Sequence, residues 1–330
     1  MDDRGLLQQL GEGPVSGDLL ARRAGLTRAA IWKRIDGLRA AGVEVDATPG
    51  RGYVLRHPVS LLDAREIERA LPAAASGELA ALEVTWAVDS TNSELLRRQP
   101  PPEGASVLLA ERQTGGRGRR GRGWASPLAG QVALSVSRAY RGGLARLGGL
   151  SLVAGVAVAS ALRGLGVACI GLKWPNDLVL PADGTLRKLG GILVEGAGEH
   201  AGPAHAVVGI GINVRLPADA AAAIDQPWTD LAACMRHDAA TPIDRNTVAT
   251  AVLAELLPAL AQFDREGLAP FLDRFAALDA LAGREAMVRD GNRAHVGTVL
   301  GVAADGGLRL ALPDGGEQVF HAGEASVRAR

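Results

Sequence analysis

The apolar positions of the first 56 residues fall into short helical stretches. Residues 6–10 start one helix. Ser16-Gly17-Asp18 is placed to cap a second, which runs to about residue 24. Gly25-Leu26 makes a turn, and Thr27 caps a third helix, 28–41, which Gly42 ends. Along that third helix Ile31, Ile35 and Leu38 recur on one face, while Ala29, Trp32, Lys33 and Asp36 point away from it. Two short strands, 43–47 and 53–55, flank Pro49-Gly50-Arg51-Gly52. Helix, helix, turn, helix and a two-stranded wing predict a winged helix-turn-helix over residues 1–58, with His57-Pro58 as the linker that follows.

From 61 to 280 strand and helix patterns alternate. A helix over 63–71 leads into strands at 83–88, 106–110 and 131–136, the last of which alternates with period two. The alanine-rich stretch up to residue 165 predicts a buried helix from about 147. A hairpin follows: out along 171–180, around Pro181-Ala182-Asp183-Gly184, and back along 188–195. A strand at 207–214 and helices at 246–263 and 270–278 complete the region. Residues 281–330 are strand-like and broken by Asp290-Gly291, Asp305-Gly306 and Asp314-Gly315, which predict hairpin turns in a small β-barrel. The fold class is therefore α+β.

Composition narrows this picture in three ways. The 330-residue chain has 36 basic and 36 acidic residues, so any nucleic-acid surface must be local. On the first domain that surface would be Thr27, Arg28, Ala29, Trp32, Lys33, Arg34 and Arg51, with the basic side chains meeting phosphates and base edges. An exposed Trp32 is unusual on a solvent face and favours a contact surface. The two cysteines, Cys169 and Cys234, lie far apart without metal-binding spacing. No secretory signal pattern opens the chain and no uncharged run is long enough to span a bilayer, so a cytoplasmic location without membrane contact is expected.

The chemistry concentrates in Gln113-Thr-Gly-Gly-Arg-Gly-Arg-Arg-Gly-Arg-Gly-Trp-Ala-Ser-Pro127. Glycine lets a backbone approach a ligand closely, and arginine offers a planar fork of donors to phosphate or carboxylate. Such a loop should be mobile when empty and fold over an anion, so a substrate with both groups is expected. Gly116, Gly118 and Gly121 also match a dinucleotide-binding glycine pattern. That pattern needs a helix directly after it, and Gly123-Trp124-Ala125-Ser126-Pro127 is no helix start.

The arginine loop, Lys173-Trp174-Pro175-Asn176-Asp177 and Lys188-Leu-Gly-Gly-Ile-Leu193 occur in this order behind a winged helix. Together they resemble the biotin–protein ligases, and the whole chain resembles their bifunctional class, ligase and biotin operon repressor in one polypeptide. Asp89-Ser90-Thr91-Asn92, Gly209-Ile-Gly-Ile-Asn213 and Asp244-Arg245-Asn246 extend the likeness. The resemblance implies a class II synthetase-like ligase domain over 61–280 and an SH3-like barrel over 281–330. It implies that biotin and ATP form biotinyl-5′-adenylate, and that a lysine of a biotin carboxyl carrier protein then takes the biotin and releases AMP.

Catalytic roles would fall to Lys188, Arg119 and Asp177, with Asp177 orienting the attacking lysine or binding Mg2+. Biotin would be held by Ser90, Thr91, Asn92, Gln113, Gly116, Arg117, Gly118, Arg119 and Lys188. ATP and the adenylate would be held by Arg119, Arg120, Arg122, Trp124, Lys173, Asn176, Asp177, Asn213 and Trp228. The resemblance further implies operator DNA as a partner and a homodimer when the adenylate is bound. Two competing readings are a regulator that only senses biotin and a lipoate-type ligase, which should lack the dense arginine–glycine loop.

Overall fold

The computed structural model describes residues 1–48, 50–199, 204–222, 224–235, 243–291, 293–321 and 325–329. The chain opens with α1 (Asp3–Gly11), α2 (Gly17–Ala24) and α3 (Arg28–Ala40). Each begins at a residue whose side-chain oxygen accepts an amide that has no partner within the helix: Asp2 from Gly5, Ser16 from Leu19, Thr27 from Ala30. Leu6, Leu7, Leu10, Ile31, Ile35 and Leu38 close one core. The wing is β1 (Val45–Thr48) paired antiparallel with β2 (Gly52–Leu55); Pro49 at its tip lies outside the described residues. β1 starts two residues later than the pattern predicts because the Val43 amide is drawn back onto the Leu38 carbonyl at 2.9 Å.

The central region supplies α4 (Ala64–Ala70), α5 (Ala73–Ser76), β3 (Leu79–Val88), α6 (Thr91–Arg97), β4 (Ala105–Gln113), β5 (Gln131–Tyr140) and α7 (Leu150–Gly164). It continues with β6 (Gly171–Lys173), β7 (Asp177–Ala182), β8 (Thr185–Gly198), β9 (Ala204–Asn213), α8 (Ala218–Ala222), α9 (Leu231–Cys234), α10 (Arg245–Glu266) and α11 (Leu272–Ala276). Its seven strands order as β3-β4-β5-β9-β8-β7-β6, parallel only between β3 and β4. The strand expected over 171–180 is in fact two: Lys173 pairs with Asp177, so Trp174-Pro175-Asn176 is the turn of a hairpin. β5 departs from the expected in–out alternation. It is buried on both faces from Gln131 to Ser137, with α10 on one side and α6 on the other.

α10 has the length and hydropathy of a membrane span, but most of it is buried in the core against α4, α5, α7 and β5. Its first residue, Arg245, is 1% exposed and ion-pairs with the equally buried Glu111 of β4. The same guanidinium donates to the carbonyls of Ser60 and Gln131 at 2.7 and 3.0 Å. Glu111 in turn accepts the Leu62 amide at 2.7 Å. A buried charge pair holds together only when its remaining lone pairs and protons are satisfied, as they are here. This knot joins the linker, two strands and a helix.

The last strands, β10 (Glu285–Asp290), β11 (Arg293–Val302), β12 (Leu308–Ala311), β13 (Glu317–Phe320) and β14 (Ala325–Ala329), form one antiparallel sheet in the order β13-β12-β11-β10-β14. Gly291, Gly306 and Gly315 take positive φ at the expected turns. Among the described residues no ladder joins the two edge strands, so the predicted barrel is seen as an open five-stranded sheet. Trp174, 1% exposed, donates its indole N–H to the Gly306 carbonyl at 3.0 Å and fastens this sheet to the central region.

The winged helix is also seated firmly. Leu128 and Ala129, directly after the arginine loop, belong to its hydrophobic core. The Leu128 amide donates to the Ala41 carbonyl at 2.9 Å. Gly42 (φ 97°) meets Pro127 so closely that an added Cβ would lie 2.7 Å from it.

Candidate active site

A broad cleft of about 2090 Å3 runs across the face of the sheet beside the arginine loop. Every residue that the sequence nominates for biotin or nucleotide lines it.

One end is neutral and polar. Ser90 caps α6, which buries Ser90, Thr91 and Asn92 at 3–4% exposure. Thr91 Oγ1 lies 2.7 Å from Ser135 Oγ and 3.2 Å from Gln113 Oε1, and the Thr91 amide donates to that Oε1 at 2.9 Å. Ser135 Oγ donates to Asn92 Oδ1 at 2.6 Å, and Asn92 Nδ2 donates to Leu193 O and Glu195 Oε2. Gly209 has no room for a Cβ, because Asn92 fills that space.

The middle of the cleft is a charged junction. Lys188 Nζ stands 2.7 Å from Asp177 Oδ1 and 5.5 Å from the centre of the Trp124 ring. Asp177 and Lys188 face each other from β7 and β8, whose register shifts between Leu178 and Val179. Trp124 lies flat on β9: a Cβ at Gly211 would approach its indole to 2.7 Å. The glycines of β8 and β9, Gly191 and Gly211, thus leave the space that the tryptophan ring fills.

The arginine loop is itself a narrow hairpin. Gly118 and Trp124 donate to the carbonyls of Arg122 and Gly116 at 2.7 and 2.8 Å. Arg119–Gly121 form its tip, with Arg120 left-handed at φ 58°. Arg117 leaves the tip and bonds Ser93 Oγ at 2.8 Å and Glu195 at 3.2 Å. Arg119 turns the other way and reaches Asn176 Oδ1 at 3.3 Å. Burial, and then the like charge of Arg120, depress its affinity for its proton, which Asp177 partly offsets. Arginine nonetheless stays charged, so a half-buried cation faces the junction. Arg120, Arg122 and Lys173 line the same wall.

At the far end the Trp228 segment runs beside Lys188. The Lys188 amide donates to Pro227 O and Thr229 donates to Lys188 O, both at 2.9 Å. Asn213 points at this segment but spends its amide inside the protein, donating to Thr229 O at 3.0 Å and accepting from Gln131 at 3.0 Å.

Ser135, Gln131 and Glu195 were not nominated from the sequence. Ser135 had a partial signal, a hydroxyl within an apolar strand, but Ser137 two residues on carries the same one. Gln131 at a strand start and Glu195 towards a strand end had none.

The nominated DNA-contact residues lie elsewhere, on the outer side of α3 and the wing. Trp32 is 55% exposed, Arg28 stands 3.7 Å from Asp18, and Ala29, Lys33 and Arg51 are exposed. Thr27 is occupied as the cap of α3. Arg34, about a third exposed, also donates to Met1 O at 2.6 Å, tying α3 to the start of α1.

The fold and the cleft define a biotin- or lipoate-type ligase domain joined to a helix-turn-helix module. Residues 84–213 match the Biotin/lipoate A/B protein ligase family, 4–54 an HTH domain, and 283–328 the Biotin protein ligase C terminal domain. The chain is 39% identical to the bifunctional ligase/repressor BirA of Escherichia coli over 95% of its own length and 93% of that protein. It is 29% identical to the Bacillus subtilis protein of the same description, over 96% and 95% of the two chains. The solved biotin protein ligase of Aquifex aeolicus in complex with biotin and ATP superposes with a TM-score of 0.62 at 27% identity, covering 76% of this chain and all of that one. The chain belongs to the family of bifunctional biotin ligase/repressors.

Proposed function

We propose that the chain is an ATP-dependent biotin–protein ligase and, through its winged helix, a repressor of biotin synthesis genes. The observation that carries the ligase reading is the junction at Lys188. A neutral hydrogen-bonding pocket, an apolar wall, a tethered ammonium and a half-buried guanidinium meet in one cleft.

The reaction has two steps. An oxygen of the biotin carboxylate attacks the α-phosphorus of ATP, the bond from that phosphorus to the bridging oxygen breaks, and pyrophosphate leaves. The amine of a carrier lysine then attacks the mixed anhydride's carbonyl and AMP departs with the bonding pair. In the first step two anions must approach each other. Lys188 and Arg119 supply positive charge where they meet, and fixed charges in a partly dry cleft stabilise such a transition state strongly. Asp177 keeps Lys188 in place. Thr91, Asn92 and Gln113 offer donors and acceptors without charge, which suits the ureido ring, and the buried Ser135 fixes Thr91 and Asn92 from behind. Trp124 closes over the ligand, and Trp228 is the platform for adenine.

Asp177 is the candidate carboxylate for Mg2+. Among the described residues no cluster of three His, Cys, Asp or Glu is placed to hold a metal, and Asp177 already bonds Lys188. The donor set fits an ion carried in on the nucleotide's phosphates, with Asp177 as its one protein carboxylate. Such an ion supplies charge neutralisation on the phosphates. The acceptor is a biotin carboxyl carrier protein.

For the regulatory half, one winged helix with few outward cations makes too few phosphate contacts to bind tightly alone. A homodimer formed with the adenylate would present two winged helices to a two-fold symmetric site. The ligase test is incubation with labelled biotin, ATP, Mg2+ and an apo carrier domain. Labelled carrier is the expected result; its absence, with biotin and ATP bound, would leave only a sensor.

A further inference from the structure

The two walls of the cleft are joined by one buried side chain that neither motif nor spacing reveals. Gln131 begins β5 and is 2% exposed. Its Oε1 accepts the Trp124 indole N–H at 3.0 Å. Its Nε2 donates to Ala125 O at 2.6 Å and to Asn213 Oδ1 at 3.0 Å. Asn213 Nδ2 passes the chain on to Thr229 O at 3.0 Å, next to Trp228, and the Thr229 amide returns to Lys188 O at 2.9 Å. The Gln131 carbonyl is fixed in turn by Arg245 at 3.0 Å.

The chain has one direction. Both amide hydrogens of Gln131 face acceptors, and its oxygen faces a donor. Turning the amide over would set oxygen against Ala125 O and NH2 against the indole N–H. The same holds for Asn213, whose oxygen faces a donor and whose NH2 faces a carbonyl. Buried polar groups left without partners are costly, so each link fixes the next. Trp124 and the Trp228 segment are therefore parts of one unit rather than two independent walls.

We propose that Gln131 is a positioning residue that holds Trp124 and the Asn213–Trp228 side of the cleft in a common frame, so that a ligand ordering one side prepares the other. The proposal rests on the biotin and ATP assignment above. It requires that biotin tighten nucleotide binding in the wild-type chain and that Gln131 carry this coupling. A glutamine that served folding alone would, on replacement, weaken both ligands together and leave their coupling unchanged.

The test is calorimetry on the full chain. Biotin and a non-hydrolysable ATP analogue are titrated separately, and the analogue again with biotin saturating. Gln131→Met keeps the volume but no strong polar link, and Gln131→Glu sets an acceptor against two acceptors. Both variants are expected to lose about tenfold of the coupling factor while each ligand alone still binds. Trp124→Phe removes the indole donor from the other side of the link; because its ring also meets the ligand, its separate affinities shift, and it is read only by the ratio of the analogue's affinities with and without biotin, which is expected to fall likewise, so the result does not depend on how well one variant folds. Equal coupling in wild type and variants overturns the proposal, as does a wild type that binds both ligands independently. A wild type that binds neither ligand refutes the biotin and ATP assignment instead.

Discussion

Lys188 and Asp177 face each other across adjacent strands, Nζ to Oδ1 at 2.7 Å, both side chains less than a fifth exposed. In the reaction proposed above the pair separates two functions in one contact: Lys188 delivers charge to the junction and Asp177 fixes where that charge stands. Lys188→Ala should reduce biotin-dependent pyrophosphate exchange by about 10²–10³-fold, with a much smaller change in biotin affinity. Asp177→Asn keeps the ammonium but loosens its tether, and a smaller loss of about tenfold is expected. Exchange near the wild-type rate in Lys188→Ala would contradict the assignment.

Gly211 lies under the Trp124 indole, and its missing side chain is what lets the ring lie on β9. Gly211→Ala should lift the ring and shift the cleft wall by about an ångström, a displacement able to cost about 10²-fold in rate. The backbone of Gly211 has no positive φ, so the variant should fold. Intrinsic tryptophan fluorescence on adding biotin reads the wall, and ligation reads the rate. A variant with normal biotin response and normal ligation would show that the wall is not set here.

Asp279 sits where the central region hands over to the last sheet, and its carboxyl is raised above the ordinary carboxylate range by burial. One oxygen accepts the Leu281 amide at 2.9 Å; the other has no partner. The folded state thus favours the protonated acid. Between the ordinary and the raised value it binds more protons than the unfolded chain, so stability falls as pH rises through that window. Asp279→Asn should be more stable than wild type at pH 7, by about 1 kcal/mol. The advantage should shrink on acidification and vanish below about pH 4, where the unfolded carboxyl is also protonated. Urea melts at pH 7 and at the acid end of the stable range measure both; a constant difference would mean that charge is not the cause.

The parts legible in the sequence were those with local causes. Capping oxygens at Ser16 and Thr27, the positive-φ glycines at turns, and the spacing of Ile31, Ile35 and Leu38 act over a few residues, and they placed the second and third helices within a residue, whereas α1 starts three residues before the predicted 6–10. The arginine loop stood out because glycine and arginine carry its chemistry in residue type; Lys188 was nominated through the motif Lys188-Leu-Gly-Gly-Ile-Leu193 that carries the family resemblance. Contacts made across the fold were not. The pairing of Arg245 with Glu111 spans 134 positions, and nothing near either residue announces it. β5 looked like a half-buried strand, because its pattern does not disclose that α6 would cover the second face. Gln131 was missed for the same reason, since its three partners come from a loop and from a strand that follows much later. The tie of Arg34 to Met1 was not legible because its partner, the start of α1, lies 33 residues away.

That tie gives a sharp contrast between two kinds of cation on the winged helix. Lys33 and Arg51 are exposed on the side of α3 and the wing, where a phosphate would lie. Arg34 is one residue from Lys33, yet its guanidinium holds the Met1 carbonyl and stands 3.4 Å from Asp3. A cation on a phosphate acts through counterion release, so removing it weakens binding to all sequences and flattens the salt dependence. A cation that ties two helices acts on stability instead. Lys33→Ala and Arg51→Ala should therefore each reduce the slope of log affinity against log salt by about 1, with unchanged melting temperature. Arg34→Ala should leave the slope alone and cost about 1 kcal/mol of stability. The measurement is fluorescence anisotropy on a duplex carrying the control region of the biotin synthesis genes, with biotin and ATP present, across a salt series, beside thermal melts of the same preparations. If Arg34→Ala flattens the salt slope as Lys33→Ala does, its guanidinium leaves Met1 for the DNA and the tie to Met1 belongs to the free protein alone.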